Sequence, residues 1–145
     1  MRDTDILRRS KVVGRCIAGL CVVGALSLSL VGCGKDFEPT AKAIEDLGPF
    51  MEKNRGDCMM LPTTFGEEAN TKSEALMKLP SKHSPDFKKE ADAFKAKFGS
   101  RVEGSCGKVV DGAKACRLDG APNISGFGQT VIDVCKVVKG IDGKL

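Results

Sequence analysis

Apolar residues recur at helical spacing in four stretches of the chain, three of them before Gly99, with polar residues between them. Phe37, Ala41, Ile44 and Leu47 share one face of a helix, with Pro39 in its first turn. Gly48-Pro49 is expected to end or kink that helix, because a proline ring clashes with the carbonyl four residues back; Phe50 and Met51 then continue a short piece to about Arg55. Thr64 with Glu67 spells a capping box that opens a second helix. Its apolar side is Phe65, Ala69, Leu76 and Leu79, interrupted by Lys72 and stopped by Pro80. A third helix is capped by Ser84, carries Pro85 and Asp86 in its first turn, and buries Phe87, Ala91, Phe94 and Phe98 before a stop at Gly99.

Beyond Gly99 the pattern changes. Glycines multiply, and Asp111-Gly112 and Asp119-Gly120 read as turns, so a Gly-rich loop, a short hairpin or a short helix is expected near residues 100–128. The last element runs from Gln129 to Lys139, with Val131, Val134, Cys135 and Val138 on one helical face. Its β-branched residues favour a strand, but Val134-Cys135 and Val137-Val138 break strand alternation, so helix is preferred. The fold class is therefore all-α for the most part: a small irregular bundle of three to five short helices, stapled by disulfides.

The first 32 residues follow another pattern. Arg8, Arg9 and Lys11 make a basic start, and Cys16 to Val31 is an uncharged apolar run. This is the layout of an export signal. It closes on Leu30-Val31-Gly32-Cys33, which resembles the lipobox of bacterial lipoproteins. The resemblance implies cleavage before Cys33, a diacylglycerol on its thiol and acylation of the new amino group. Two or three chains on one cysteine make a durable anchor where a single chain holds only marginally. An uncleaved transmembrane helix is the alternative, since Cys16 to Gly34 is close to the minimum span. Gly34 stands where an Asp resembles an inner-membrane retention signal, which favours the outer membrane. The chain thus divides into a signal peptide (1–32), a lipidated cysteine with a short tether (33–35) and one small domain (36–145). A tether that short keeps the domain against the membrane.

This division changes the reading of charge and of cysteine. The chain carries a net +4, but the leader holds five of its 23 basic residues and two of its 19 acidic ones, so the remainder is close to balanced at +1. Balanced charge offers little attraction to phosphate, which argues against nucleic acid as a partner. Seven cysteines are present. Cys16 and Cys21 leave with the leader and Cys33 takes lipid. Cys58, Cys106, Cys116 and Cys135 then form two disulfides in an oxidising compartment. Three connectivities are open. A hairpin at Asp111-Gly112 would bring Cys106 opposite Cys116 and leave Cys58 for Cys135, whereas a continuous helix would hold Cys106 and Cys116 about 15 Å apart.

Candidate chemistry is sparse. No Cys-x-x-Cys occurs, so zinc, covalent haem and thioredoxin-like motifs are missing. His83 is the one histidine, placed in a polar turn. With Met51, Met59, Met60 and Met77 it is the only set that could hold haem or copper between helices, and methionines more commonly fill core gaps. A hydrolase would need His83 as its base, and no Gly-x-Ser-x-Gly elbow supports one. No cofactor is expected. The leading functional expectation is a membrane-anchored envelope lipoprotein, a non-enzymatic binding, accessory or structural module. Its partners would be membrane lipid through Cys33 and an envelope protein. A ligand or cofactor carrier of the periplasm or cell surface is the second reading.

Overall fold

A computed structural model describes residues 36–145; the leader, Cys33 and the tether lie outside the described residues. The described part is all-helical: α1 (Glu38–Asn54), α2 (Leu61–Thr71), α3 (Ser73–Leu76), α4 (Phe87–Ala115) and α5 (Gly126–Lys139), with no strand. The disulfide-stapled helical bundle expected from the apolar spacing is the fold.

α4 is the spine. It lies between α1 and α5 and carries the most extensive packing with both. Its buried stripe continues past Phe94 and Phe98 through Val102, Cys106, Val109 and Ala113, at steps of three and four residues. The expected stop at Gly99, the loop or hairpin over 100–128 and the turn at Asp111-Gly112 are thus overturned. Gly99, Gly104, Gly107 and Gly112 all sit inside one helix of 29 residues, and only the segment after Ala115 is loop. Each helical glycine costs up to about 1 kcal/mol of propensity. At Gly112 the tertiary return is visible, since a Cβ there would overlap the Met51 side chain.

α1 runs parallel to α4, and Pro49 does not end it: the helix spans 17 residues with Pro49 inside. Pro49 has no N–H to donate to Glu45 O. Ser105 of α4 supplies the missing donor, its hydroxyl donating to that carbonyl at 3.3 Å. Ser105 comes this close because Gly48 has no side chain; a Cβ on Gly48 would lie 2.6 Å from Ser105 Cα. Arg101 of α4 clamps the same stretch, donating to Glu45 at 2.7 and 2.8 Å and also to Glu38. These hydrogen bonds hold the Glu45 carboxyl below its ordinary value.

Gly48 and Gly112 make a test of this packing. Gly48→Ala drives a methyl into α4 backbone and is expected to cost about 2–3 kcal/mol. Gly112→Ala meets Met51 Cγ and Sδ rather than backbone, so the buried Met51 side chain must repack, at an expected cost of about 1–2 kcal/mol. Thermal melts of both variants measure the difference.

The second helix opens earlier than expected, at Leu61 with Pro62 in its first turn. Thr64 is no cap, because its hydroxyl donates back to the Met60 carbonyl at 3.1 Å. Lys72 breaks the element in two and turns outward to pair with Asp46 and Glu68. α3 is tied to α1 by the buried Thr40 hydroxyl, which donates to Ala75 O at 2.6 Å. Ser84 does not cap α4 directly; its hydroxyl accepts from Asp86 N–H in the turn before it.

α5 is antiparallel to α4. Ser125 caps it by accepting from Gly128 N–H at 3.1 Å. At its end Gly140 adopts a left-handed φ of 69°, and the bonds Gly140 N–H to Val137 O and Ile141 N–H to Lys136 O close a Schellman turn.

The disulfides are Cys58–Cys116 and Cys106–Cys135. The expected pairing of Cys106 with Cys116 and Cys58 with Cys135 is therefore overturned. It rested on a hairpin at Asp111-Gly112, and continuous helix there puts Cys106 and Cys116 out of each other's reach. Instead Cys106–Cys135 bolts α4 to α5 within the core, and Cys58–Cys116 ties the α1–α2 loop to the end of α4 at the surface.

Candidate functional site

α5 brings two charged residues into its apolar face. Asp133 and Lys136 are buried among Val131, Ile132, Val134, Cys135 and Val138. A buried charge must find partners. Lys136 Nζ finds Asp119 Oδ2 of the α4–α5 loop at 2.9 Å, and both side chains are almost fully enclosed. Gln129, one turn earlier on α5, bridges the two carboxylates: its Nε2 donates to Asp119 Oδ1 at 2.9 Å and to Asp133 Oδ1 at 3.2 Å. Its Oε1 accepts from Gly120 N–H at 2.8 Å, and Leu145 N–H donates to Asp119 Oδ2 at 3.1 Å.

The network treats its two carboxylates oppositely. Burial alone would raise Asp119, but the donors from Lys136, Gln129 and Leu145 outweigh it and hold the carboxyl down at about 2. Burial raises Asp133, and the Gln129 hydrogen bond and the Lys82 and Lys136 charges offset that only in part. Asp133 is 3% exposed, and its Oδ2 has no hydrogen-bond partner among the described residues. Its nearest cation is Lys82 Nζ, 3.7 Å from Oδ1.

The signs of these shifts fix a pH response. Asp119 is lowered by folding, so its contribution to stability is present above its ordinary value of 3.8 and fades as pH falls toward about 2. Asp133 is raised by folding, so the protonated form is favoured in the fold and that advantage is lost as pH rises through its folded pKa. Asp133→Asn is expected to raise the melting temperature at pH 7 by about 4 °C, or about 1 kcal/mol. The gain should shrink as pH falls and the wild-type carboxyl takes up a proton. Melting curves of the two proteins from pH 3 to pH 8 read it directly.

Beside this network is a cavity of about 320 Å³, lined by Ser81, Lys82, His83, Asp133, Gln129 and Lys144 among others. The α3–α4 loop supplies Lys82 and His83, and α5 supplies the floor. The cavity thus offers ammonium and imidazole groups at its exposed rim and the Gln129 amide and the largely buried Asp133 carboxylate at its base. Such a set suits a small polar molecule carrying both donors and acceptors.

His83, singled out from the sequence, lies on this rim. The methionines do not join it. Met51 is buried against α4, Met59 and Met60 are exposed beside Cys58, and Met77 lines a separate groove. No three His, Cys, Asp or Glu side chains come together as a metal site among the described residues. Cys33, the predicted lipidation site, is outside them, and no described helix is long and apolar enough to cross a membrane.

Sequence reasoning passed over Asp119, Gln129, Asp133 and Lys136. A signal existed: an acid and a base three residues apart inside the run Val131-Ile132-Asp133-Val134-Cys135-Lys136-Val137-Val138 cannot both point to water while that face is buried. No family model matches the chain, and neither a curated protein nor a solved structure is similar to it.

Proposed function

We propose that the protein is a lipid-anchored lipoprotein of the bacterial cell envelope, held by acylated Cys33 on the outer membrane, whose domain is a non-enzymatic binding module. The observation that carries the reading is the fate of the sulfurs. Cys58, Cys116, Cys106 and Cys135 pair off completely, as an oxidising compartment favours, and Cys33 is the one cysteine left after the leader. It stands at the end of Leu30-Val31-Gly32-Cys33, where a lipobox would place its lipidated residue.

The binding role is supported by the cavity beside Asp133, whose lining combines the cationic and polar side chains of Lys82, His83 and Lys144 with those of Gln129 and Asp133. A small polar ligand or the polar side chain of an envelope partner fits that chemistry. The methionines and His83 do not converge, which leaves little support for haem or copper.

Growth of the source cells or a bacterial host with an alkyne fatty acid tests the anchor. The wild-type protein should incorporate the label and the Cys33→Ser protein should not. Equal labelling of both, or labelling of neither, contradicts the proposal.

A further inference from the structure

Residues around the start of α1 form a face that a membrane would meet first. Lys78 Nζ donates to the Asp36 carbonyl at 2.9 Å, fixing where the chain leaves the domain. From Asp36 back to Cys33 are three residue steps, which span at most about 11 Å. An anchor at Cys33 therefore holds the surface around Asp36 and Lys78 against the bilayer.

That surface bears an exposed apolar residue. Met77, next to Lys78, is 66% exposed. It opens a groove whose walls include Leu76, Leu79 and Phe127. On the other side of Lys78 is a cavity of about 390 Å³ bordered by Pro39, Lys42, Lys72 and Lys78 together with Asp46 and Glu74. With Asp36 and with Glu68, which pairs with Lys72, three ammonium groups face four carboxylates, so the face is close to neutral and carries no excess of positive charge.

We infer that the surface around Asp36 and Lys78, with Met77 on one side of Lys78 and Lys42 and Lys72 on the other, rests in the headgroup layer and inserts Met77 at the acyl boundary. The inference rests on the proposed acylation of Cys33 and adds which surface the anchor presents to lipid. The tether is too short to let the domain turn its other end to the bilayer. Exposure of a methionine there has a physical use, since it loses water when the anchor seats it, and the Lys42 stem can reach up to phosphate while burying its methylenes. The near-neutral charge means that contact should depend little on anionic lipid. The same seating leaves the far end of α1 in solvent. That end carries the second exposed site, Met59, 85% exposed beside Cys58. The 17 residues of α1 put about 25 Å between its two ends.

The chain contains no Trp and no Tyr, so one introduced Trp is a clean reporter. Full-length protein is expressed, processed and purified as Met77→Trp and as Met59→Trp, and reconstituted in phosphatidylethanolamine–phosphatidylglycerol vesicles with and without bromine on the acyl chains. Both positions are solvent-exposed, so neither substitution disturbs the core. The Met77→Trp protein should show blue-shifted emission and several-fold stronger quenching by brominated lipid than the Met59→Trp protein. It should keep that difference in purely zwitterionic vesicles. Intact mass of the same samples reports the acyl chains. Acylated protein bound to vesicles with no quenching at position 77 overturns this inference alone. Protein without acyl chains overturns it together with the proposed anchor.

Discussion

Replacing Lys136 with Met is expected to remove about 3–5 kcal/mol of stability, a large share of what a domain this size possesses. The reason is the Asp119 carboxylate left behind. Lys136 and Asp119 meet at 2.9 Å, and each side chain is only 6% exposed. Without the ammonium, a carboxylate held at about 2 by its donors becomes a buried charge supported only by the Gln129 amide and the Leu145 N–H. The Met side chain fills the space of the lysine stem, so the loss is electrostatic rather than a cavity. A second substitution, Asp119→Asn in the Lys136→Met background, removes the orphaned charge and should recover more than half of the loss. Urea unfolding at pH 7 of the single and double variants gives both numbers. If the Asp119→Asn change failed to rescue, the penalty would lie in packing and the ion pair would not be its source.

The two disulfides should part company under mild reductant, and this is the second large effect. Cys106 and Cys135 are fully buried between α4 and α5, whereas Cys58 is exposed and Cys116 half-buried. Attack by a thiolate needs access to sulfur. Dithiothreitol under native conditions should therefore open Cys58–Cys116 within minutes while Cys106–Cys135 resists until the domain unfolds. Peptide mapping after alkylation should find label at Cys58 and Cys116 alone. The equilibrium costs are similar, because closing loops of 58 and 29 residues is worth about 4 kcal/mol in each case by chain entropy. Cys106→Ala with Cys135→Ala removes buried sulfur contacts as well, and should cost about 1 kcal/mol more than the same change at Cys58 and Cys116.

These two effects fall where the sequence was hardest to read. The apolar stripe of α4 was present in Val102, Cys106, Val109 and Ala113, at the same spacing as Phe94 and Phe98. Four glycines masked it, because local propensity treats glycine as a stop, and no local rule reports that Met51 packs on one of them. The disulfide pairing followed that error, since a turn at Gly112 and a helix through it give different partners to Cys106. Pro49 shows the same limit in another form. Proline forbids one hydrogen bond, yet Ser105, 60 residues from the carbonyl it serves, restores it. α5 and the existence of the staple were legible because both depend on pattern and count. The buried network was not, since Asp119 and Leu145 reach Lys136 and Gln129 only through the tertiary fold.

The intact mass of protein extracted from cell membranes tests the proposed anchor and the oxidised cysteines in one measurement. The expected species begins at Cys33, carries diacylglycerol and an amide-linked fatty acid on that residue, and is four hydrogens lighter than its reduced form. A polypeptide that begins at Met1, bears no lipid and holds free thiols at Cys58, Cys106, Cys116 and Cys135 would contradict it.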